Sequence, residues 1–315
     1  MRLFITRPLP DVVVDAAREH FEEVEVREST LPLSPSEVKA SLSLYDAVLP
    51  TLGDKYDAAA FADGSSRCRM LANFGVGYNH IDADAAAKAD VMVSNTPGAV
   101  TDATADIAMM LMLMTCRRAG EGERMVRADT WQGWHPTQLL GFHITGKTVG
   151  IVGMGRIGQA IAQRCRLGFG MNVVYHNRSD KPVDGCTQLG SMAAVAQAAD
   201  VVIVAVPGSP ETHHLINAEF FAAMGPTTYL VNIARGDVID EAALVAALQN
   251  GQIAGAGLDV YEFEPKVPDA LRAMENVTLL PHLGTAALEV RTDMGLMAVD
   301  NLAAWCQGKP LPNSV

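Results

Sequence analysis

The chain has 315 residues, of which 49% are hydrophobic and 19% charged, and its formal net charge is −12 at pH 7. This length exceeds one typical domain and predicts two. Because no basic cluster offsets the negative charge, the composition argues against a nucleic acid or an anionic membrane as partner.

The cellular compartment of the protein is predicted from the N-terminus, the apolar segments and the cysteines. The first apolar run has only four residues, which is too short for a signal peptide. The most apolar helical segment, residues 107–114, is too short to span a bilayer. The five cysteines are scattered and form no C-x-x-C motif. We therefore expect a cytoplasmic protein with reduced thiols, no structural zinc and no other metal.

Up to about residue 95, short apolar strands alternate with amphipathic helices. This alternation predicts a doubly wound parallel sheet without a convincing phosphate loop. The predicted strands are 3–6, 22–26, 47–51, 70–74 and 91–94, and the predicted helices are 10–20, 36–42, 57–62 and 80–89.

A glycine-rich junction follows the fourth predicted strand, with the sequence Asn-Phe-Gly-Val-Gly-Tyr-Asn at 73–79. The backbone N–H groups of Val76 and Gly77 are suited to form a small anion nest for a carboxylate. The alternative interpretation is a plain glycine turn.

Residues 101–128 are predicted to form one long helix that connects two domains. The stretch 131–142 is irregular and contains two tryptophans, which is typical of a segment that docks on a surface or a partner subunit.

A second α/β unit begins with the sequence KTVGIVGMGRIG at 147–158. Gly153, Gly155 and Gly158 have the G-x-G-x-x-G spacing between a predicted strand, 148–152, and a predicted helix. In this context the first glycine permits the turn, the second lets a pyrophosphate approach, and the third lets the helix pack closely. The helix N-terminus would then face the phosphates, so we predict a dinucleotide site. A structural turn without a ligand is the alternative.

The strand expected at 172–176 is followed by Asn177, Arg178 and Ser179. An NAD-preferring site usually has an Asp or Glu near this position to accept hydrogen bonds from the ribose. Here the residues are a neutral amide, a guanidinium and a hydroxyl, which suit a 2′-phosphate. We predict a preference for NADP over NAD, the alternative being a solvated loop that tolerates either.

Further strands are predicted at 201–206, 229–233, 255–260 and 277–280, with helices at 218–224, 241–250 and 286–307. Polar residues stand at the ends of three of these strands, namely Arg235, then Asp259 with Glu262 and Glu264, then His282. Ligands of open α/β sheets bind outside the carboxyl ends of the strands, so these groups are expected to converge beside the dinucleotide.

Over nearly its whole length the chain resembles the D-isomer-specific 2-hydroxyacid dehydrogenase family. The resemblance is carried by the stretches at 73–79, 153–158, 232–236 (Asn-Ile-Ala-Arg-Gly), 258–265 (Leu-Asp-Val-Tyr-Glu-Phe-Glu-Pro) and 281–284 (Pro-His-Leu-Gly). The tail from Asn276 is most similar to the glyoxylate/hydroxypyruvate reductase branch.

The resemblance implies a role for each of these groups. Arg235 would bind the substrate carboxylate and keto oxygen, with the amides of Val76 and Gly77 on its other side. His282 would give a proton to the carbonyl oxygen as hydride arrives from the nicotinamide. Glu264 would orient the His282 ring and favour its protonated form. Asp259 would accept a hydrogen bond from the nicotinamide carboxamide.

The resemblance also implies a Rossmann dinucleotide-binding domain, 100–285, inserted into a flavodoxin-like substrate domain, 1–99 plus 286–315. The cofactor is expected to be NADP, or NAD, the substrate a small 2-keto or 2-hydroxy acid, and the assembly a homodimer. Further cofactor contacts are expected at Thr104, Arg156, Ile157, Val206, Pro207, Thr212, Ile233, Ala234, His282 and Gly284.

The favoured function is therefore NADPH-dependent reduction of glyoxylate or hydroxypyruvate to the D-2-hydroxy acid. Two alternatives stay open. One is a dehydrogenase for another D-2-hydroxy acid or for phosphite, whereas formate is disfavoured because its branch has Gln in place of Glu264. The other is a dinucleotide-sensing binding protein without catalysis.

Overall fold

A computed structural model describes residues 1–62 and 66–315. It divides into two compact units, one formed by Met1–Val100 with Thr285–Val315 and the other by Thr101–Gly284. Each unit is built on one parallel sheet with helices packed against it. The predicted fold class, α/β with two doubly wound parallel sheets, is confirmed.

The first unit has a five-stranded sheet. Its strands are β1 (Arg2–Ile5), β2 (Glu23–Val26), β3 (Ala47–Leu49), β4 (Met70–Ala72) and β5 (Met92–Ser94). The strand order β2-β1-β3-β4-β5 is the flavodoxin-like order. Four helices connect the strands, namely α1 (Asp11–Arg18), α2 (Pro35–Leu44), α3 (Ala58–Phe61) and α4 (Ala83–Lys88).

The C-terminal helix, Leu288–Cys306, packs against α1 in this first unit. A Cβ atom at Gly295 would lie 2.5 Å from a Val13 methyl group, so the Val13 side chain packs directly against the backbone of the C-terminal helix. Buried apolar residues of β1, β3 and β4 complete the same core layer, including Leu3, Leu49 and Met70. Strands that are buried on both faces appear in the sequence as continuous apolar runs, which is why their positions could be predicted.

The second unit has a seven-stranded sheet. Its strands are β6 (Thr148–Val152), β7 (Asn172–His176), β8 (Thr187–Gln188), β9 (Val201–Val204), β10 (Tyr229–Asn232), β11 (Gly255–Leu258) and β12 (Val277–Leu279). Its helices are α5 (Thr101–Cys116), α6 (Ala119–Arg127), α7 (Arg156–Phe169), α8 (Met192–Ala198), α9 (Ala218–Ala223), α10 (Glu241–Gln249) and α11 (Asp269–Ala273).

The strand order of this sheet places the site residues predicted in this unit along one edge, the one formed by the carboxyl ends of the strands. The order is β12-β11-β10-β9-β6-β7-β8, so the direction of winding reverses between β9 and β6. In open α/β sheets this switch point forms a crevice at the carboxyl ends of the strands, where dinucleotides bind. The loops that follow β6, β7, β9, β10 and β11 all begin at this edge.

The prediction of a single helix over residues 101–128 is wrong. α5 ends at Cys116, and α6 begins after Arg118, whose φ of 53° lies in the left-handed region. The Cys116 carbonyl accepts a 2.7 Å hydrogen bond from the Phe142 N–H, so the irregular segment supplies the bond that ends α5.

The sequence also failed to predict β8, α8 and α11. All three are short, with two, seven and five residues. Residues 131–142 contain no helix or strand, as predicted. Within residues 1–62 and 66–315, no helix has the length and apolar character that a membrane span needs.

Candidate active site

The glycine loop between β6 and α7 shows which of its three glycines the protein itself requires. Gly153 has a φ of +100°, and a Cβ atom there would lie 2.7 Å from the Ala205 carbonyl oxygen. A Cβ at Gly158 would lie 2.2 Å from the carbonyl oxygen of Gly153. These two positions therefore need glycine for the turn and for close packing of helix on strand.

Gly155 differs from the other two. It precedes α7 with an ordinary φ of −72°, and a Cβ atom there would meet no described atom within 4 Å. The helix begins directly after it, with Arg156 and Ile157 in the first turn, where backbone N–H groups have no partner inside the helix. Open space beside a helix N-terminus suits a phosphate group.

The turn after β7 is joined to the glycine loop through Asn177. Its Oδ1 accepts a hydrogen bond from the Met154 N–H at 3.3 Å, and its Nδ2 donates to the Ser179 carbonyl at 3.0 Å and hydroxyl at 3.2 Å. Asn177 thus holds the turn, while Arg178 and Ser179 are exposed. The Arg178 guanidinium makes no hydrogen bond or ion pair with any residue that the structure describes.

The loop after β9 approaches the glycine loop from the other side. The Val206 side chain lies 2.8 Å from the position a Cβ would take at Gly153. The Thr212 hydroxyl donates to the Pro207 carbonyl at 2.8 Å and accepts from the Ser209 N–H at 2.9 Å, which closes the loop. Thr212 therefore shapes this loop.

Arg235 follows β10 in a turn that Asn232 holds at two points. The Asn232 amide accepts from the Ala234 N–H at 3.0 Å and donates to the Arg235 carbonyl at 2.9 Å. Ile233 and Ala234 are buried beside it. Burial lowers the pKa of Arg235 from its ordinary value, an effect that the negative charge of Glu264 opposes. The guanidinium is a planar cation of the kind that binds carboxylates through two parallel hydrogen bonds.

Asp259 fixes the segment that carries His282. Its two carboxylate oxygens accept hydrogen bonds from the N–H groups of Leu283 at 2.6 Å and Gly284 at 2.8 Å, and its carbonyl accepts from the His282 N–H at 2.9 Å. Thr104 on α5 donates to the Gly284 carbonyl at 3.2 Å. Burial raises the pKa of Asp259, although these N–H groups act in the opposite direction. Asp259 and Thr104 therefore position the His282 segment.

His282 and Glu264 form a pair beside this segment. The Nδ1 atom of His282 lies 2.9 Å from Glu264 Oε2, and Glu264 Oε1 accepts a hydrogen bond from the Tyr261 N–H at 3.1 Å. Burial by itself would raise the pKa of Glu264, but the hydrogen bond and charge of His282, with help from Arg235, lower it overall. The carboxylate therefore stays ionised and fixes the ring, whose Nε2 makes no hydrogen bond with the described residues.

The glycine turn of the first unit presents two backbone N–H groups. The carbonyls of Gly75 and Gly77 accept hydrogen bonds from the Asn73 amide at 2.9 and 3.1 Å, and the Val76 carbonyl accepts from the Asn95 amide at 2.9 Å. Within residues 1–62 and 66–315, the N–H groups of Val76 and Gly77 have no partner. Two backbone N–H groups without a partner in one turn are the donors that an anion nest would use.

Asn95 was not identified from the sequence, although a signal was present. It follows β5 directly, and β5 pairs with β4, whose end leads into the glycine turn. A polar residue at the end of a neighbouring parallel strand is the pattern that located Arg235 and Glu264, and the same test would have found Asn95.

The profile described as the NAD binding domain of D-isomer specific 2-hydroxyacid dehydrogenases matches residues 109–284. The glyoxylate reductase of Thermococcus onnurineus is 42% identical over 322 residues, which cover 100% of this chain and 95% of that protein. The glyoxylate reductase of Pyrococcus furiosus is 41% identical, covering 100% and 95%.

Two solved structures give the same result. The TT0316 protein from Thermus thermophilus aligns over 100% of both chains with a TM-score of 0.93 and 42% identity. An NADPH-dependent glyoxylate/hydroxypyruvate reductase from Sinorhizobium meliloti, solved in complex with NADP and malonate, has a TM-score of 0.88 and 37% identity, covering 100% of this chain and 96% of that one. This chain therefore belongs to the D-isomer specific 2-hydroxyacid dehydrogenase family and is an NAD(P)-dependent oxidoreductase.

Proposed function

We propose that the protein reduces a small 2-keto acid, glyoxylate or hydroxypyruvate, to the D-2-hydroxy acid with NADPH. The observation that carries the proposal is the His282–Glu264 pair at 2.9 Å, which lies in the same unit as Arg235 and the glycine loop. An ionised carboxylate on Nδ1 leaves Nε2 to exchange a proton with the substrate. The relatives named glyoxylate reductase support the substrate class.

The residues of the chain divide the chemistry between them. Arg235 binds the carboxylate of the keto acid and orients its carbonyl. A nicotinamide held at the site would supply the hydride for the carbonyl carbon. His282 Nε2 delivers the proton that the carbonyl oxygen takes up, so that one hydride and one proton reduce C=O to CH–OH. Glu264 stabilises the positive charge that His282 carries before it gives up the proton.

The residues present also fit a dinucleotide. The space at Gly155 and the first turn of α7, with Arg156 and Ile157, would hold the pyrophosphate. Val206, Pro207, Thr212, Ile233 and Ala234 would line the rest of the crevice, with Asp259 and Gly284 at its nicotinamide end.

The preference for NADPH rests on the turn after β7. Arg178 and Ser179 are exposed there, and Asn177 places no carboxylate at the ribose position. A 2′-phosphate would gain charge-assisted hydrogen bonds from Arg178, whereas a 2′-hydroxyl would lack its usual carboxylate acceptor. In the Sinorhizobium meliloti reductase, a relative in structure, the bound cofactor is NADP.

In the first unit, we assign the N–H groups of Val76 and Gly77 to a carboxylate of the substrate. The Asn73 and Asn95 amides fix the carbonyls of the turn, so the two N–H groups are preorganised for an anion.

A homodimer is also part of the proposal. Trp131, Trp134 and Leu140 expose 52%, 80% and 66% of their surface on the irregular segment after α6, and Val126 on α6 exposes 61%. A second copy of the chain would cover these apolar side chains. The molar mass of the purified protein, measured by light scattering, tests this. The mass of a monomer at micromolar concentration would contradict the proposed dimer.

The test of the proposed reaction is a rate comparison on purified protein. Glyoxylate and hydroxypyruvate are each offered with NADPH and with NADH, and loss of cofactor absorbance is followed. Fast turnover of either acid with NADPH is the expected result. Turnover with NADH alone would retain the reductase and contradict the assignment of Arg178. Dinucleotide binding without turnover of any 2-keto acid, 2-hydroxy acid or phosphite would contradict the catalytic proposal and favour the sensor.

A further inference from the structure

A second histidine–glutamate contact lies two residues before Glu264. His214 Nε2 is 2.8 Å from Glu262 Oε1, and neither residue has a part in the proposed reaction. His214 is in the segment that follows the loop after β9, and Glu262 is in the segment after β11. The contact therefore joins two chain segments that are distant in sequence.

His213 brings a second imidazole to this contact. Its ring stacks on that of His214 with a centroid distance of 4.0 Å and an interplanar angle of 24°. Neighbouring side chains of an extended strand point to opposite faces, but His214 has a φ of +50°, in the left-handed region. This conformation is unfavourable for a residue with a side chain, and a hydrogen bond from the His214 N–H to the Asp237 carbonyl at 2.8 Å helps to hold it.

The three side chains together offer the ligands of a metal site. One ligand atom each from His213, His214 and Glu262 lies within 4.8 Å of the other two. Two imidazole nitrogens and one carboxylate are a ligand set that zinc uses, with water in the fourth position. We propose that His213, His214 and Glu262 bind one divalent transition-metal ion, with Zn²⁺ as the ion to test.

The charges around the cluster favour a cation. Glu262 and Glu241 are joined by reciprocal hydrogen bonds, in which the Glu241 N–H donates to Glu262 Oε2 at 3.3 Å and the Glu262 N–H donates to Glu241 Oε1 at 3.4 Å. A bound cation would relieve the repulsion between the two carboxylates, and the Glu241 N–H would orient the Glu262 carboxylate.

The movements needed to complete the site are small. Zinc bonds to nitrogen and oxygen are about 2.0–2.1 Å, which places two tetrahedral ligand atoms about 3.3 Å apart. The His214–Glu262 contact at 2.8 Å must therefore open slightly, and the His213 ring must turn towards it. His213 is exposed and makes no hydrogen bond with the described residues, so only its stacking on the His214 ring opposes this turn.

The site is separate from the proposed reaction and does not depend on it. An ion held by all three side chains would cross-link the loop after β9 to the segment after β11. A ligand that binds the folded protein and not the unfolded chain raises the melting temperature, so Zn²⁺ should stabilise the protein.

The experiment is calorimetric titration of the metal-free protein with ZnCl₂, paired with melting curves in the presence and absence of Zn²⁺. We expect one ion per chain and a higher melting temperature. Mutating a residue that hydrogen-bonds to a metal ligand typically lowers metal affinity by about 10–100-fold. Loss of a direct ligand in His213→Gln should therefore weaken Zn²⁺ binding at least as much. Because His213 is exposed, this variant should fold normally. Glu262→Gln keeps a hydrogen-bond acceptor for His214 and should also weaken binding.

Two control variants make the result specific. His135→Gln removes another exposed histidine, on the irregular segment, and should bind Zn²⁺ as the unchanged protein does. His282→Gln removes the other His–Glu pair and should also retain binding. The proposal is overturned if Zn²⁺ does not bind, if His213→Gln binds it as tightly as the unchanged protein, or if only His282→Gln loses it.

Discussion

His282 Nδ1 lies 2.9 Å from Glu264 Oε2, and this contact joins the segment after β12 to the segment after β11. His282 has a φ of 55°, and Asp259 accepts three hydrogen bonds, from the backbone N–H groups of His282, Leu283 and Gly284. The position of the ring is therefore set by Glu264 from one side and by Asp259 from the other.

Replacing His282 tests the proton transfer. His282→Gln should lower kcat for glyoxylate or hydroxypyruvate by about 10²–10⁴-fold, which is the usual contribution of a general acid. The dissociation constant for NADPH, measured by fluorescence titration, should change little because His282 holds the substrate end of the site. His135→Gln is the matched control and should retain full turnover. A His282 variant with near-normal kcat would remove this residue from the proton transfer.

Glu264 makes a prediction about stability and pH. Interactions in the folded protein lower the pKa of Glu264 below its ordinary value of 4.5. A carboxylate with a depressed pKa stabilises the folded state above its unfolded-state pKa, and this stabilisation is lost as the pH falls through the folded-state value. Glu264→Gln should therefore lower the free energy of unfolding at pH 7, and the difference from the unchanged protein should shrink below about pH 4.5.

Urea unfolding at a series of pH values measures this difference. Glu28→Gln serves as control, because Glu28 is exposed, lies outside the helices and strands, and its carboxylate has no hydrogen bond or ion pair among the described residues. A Glu264→Gln difference that stays constant between pH 7 and pH 3 would show that the carboxylate charge does not stabilise the fold.

The sequence predicted Glu264 and His282 because each follows a predicted strand. The strand before Glu264, β11, is buried throughout, whereas β12, before His282, is partly buried. The ends of such largely apolar runs, and hence the positions of Arg235, Glu264 and His282, can be located without a structure. Contacts that depend on the path of the backbone could not be predicted in this way. At the break near Arg118, for example, the Cys116 carbonyl accepts a hydrogen bond from Phe142, which is distant in sequence. The approach of His213 to Glu262 likewise depends on the left-handed conformation of His214.

Arg178 tests the cofactor preference. Arg178→Ala should raise the dissociation constant for NADPH by about 10–100-fold, because a hydrogen bond to a charged group typically contributes about 1.5–3 kcal/mol. The dissociation constant for NADH should change much less, since NADH has no 2′-phosphate, and it serves as the internal control. Equal losses for the two cofactors would contradict the assignment of the 2′-phosphate to this turn.

The glycine loop offers a matched pair of substitutions that separates ligand binding from folding. Gly158→Ala places a Cβ atom 2.2 Å from the Gly153 carbonyl oxygen, so it should destabilise the protein by about 1–3 kcal/mol or more. Gly155→Ala meets no described atom within 4 Å and needs no unusual φ, so it should leave the melting temperature of the protein without cofactor nearly unchanged. Its methyl group would enter the space that we assign to the pyrophosphate, so affinity for NADPH and NADH should fall together.

Melting curves without cofactor and titrations with each dinucleotide distinguish the two effects. Normal dinucleotide affinity in Gly155→Ala would place the pyrophosphate elsewhere, and a normal melting temperature in Gly158→Ala would mean that α7 can move away from β6.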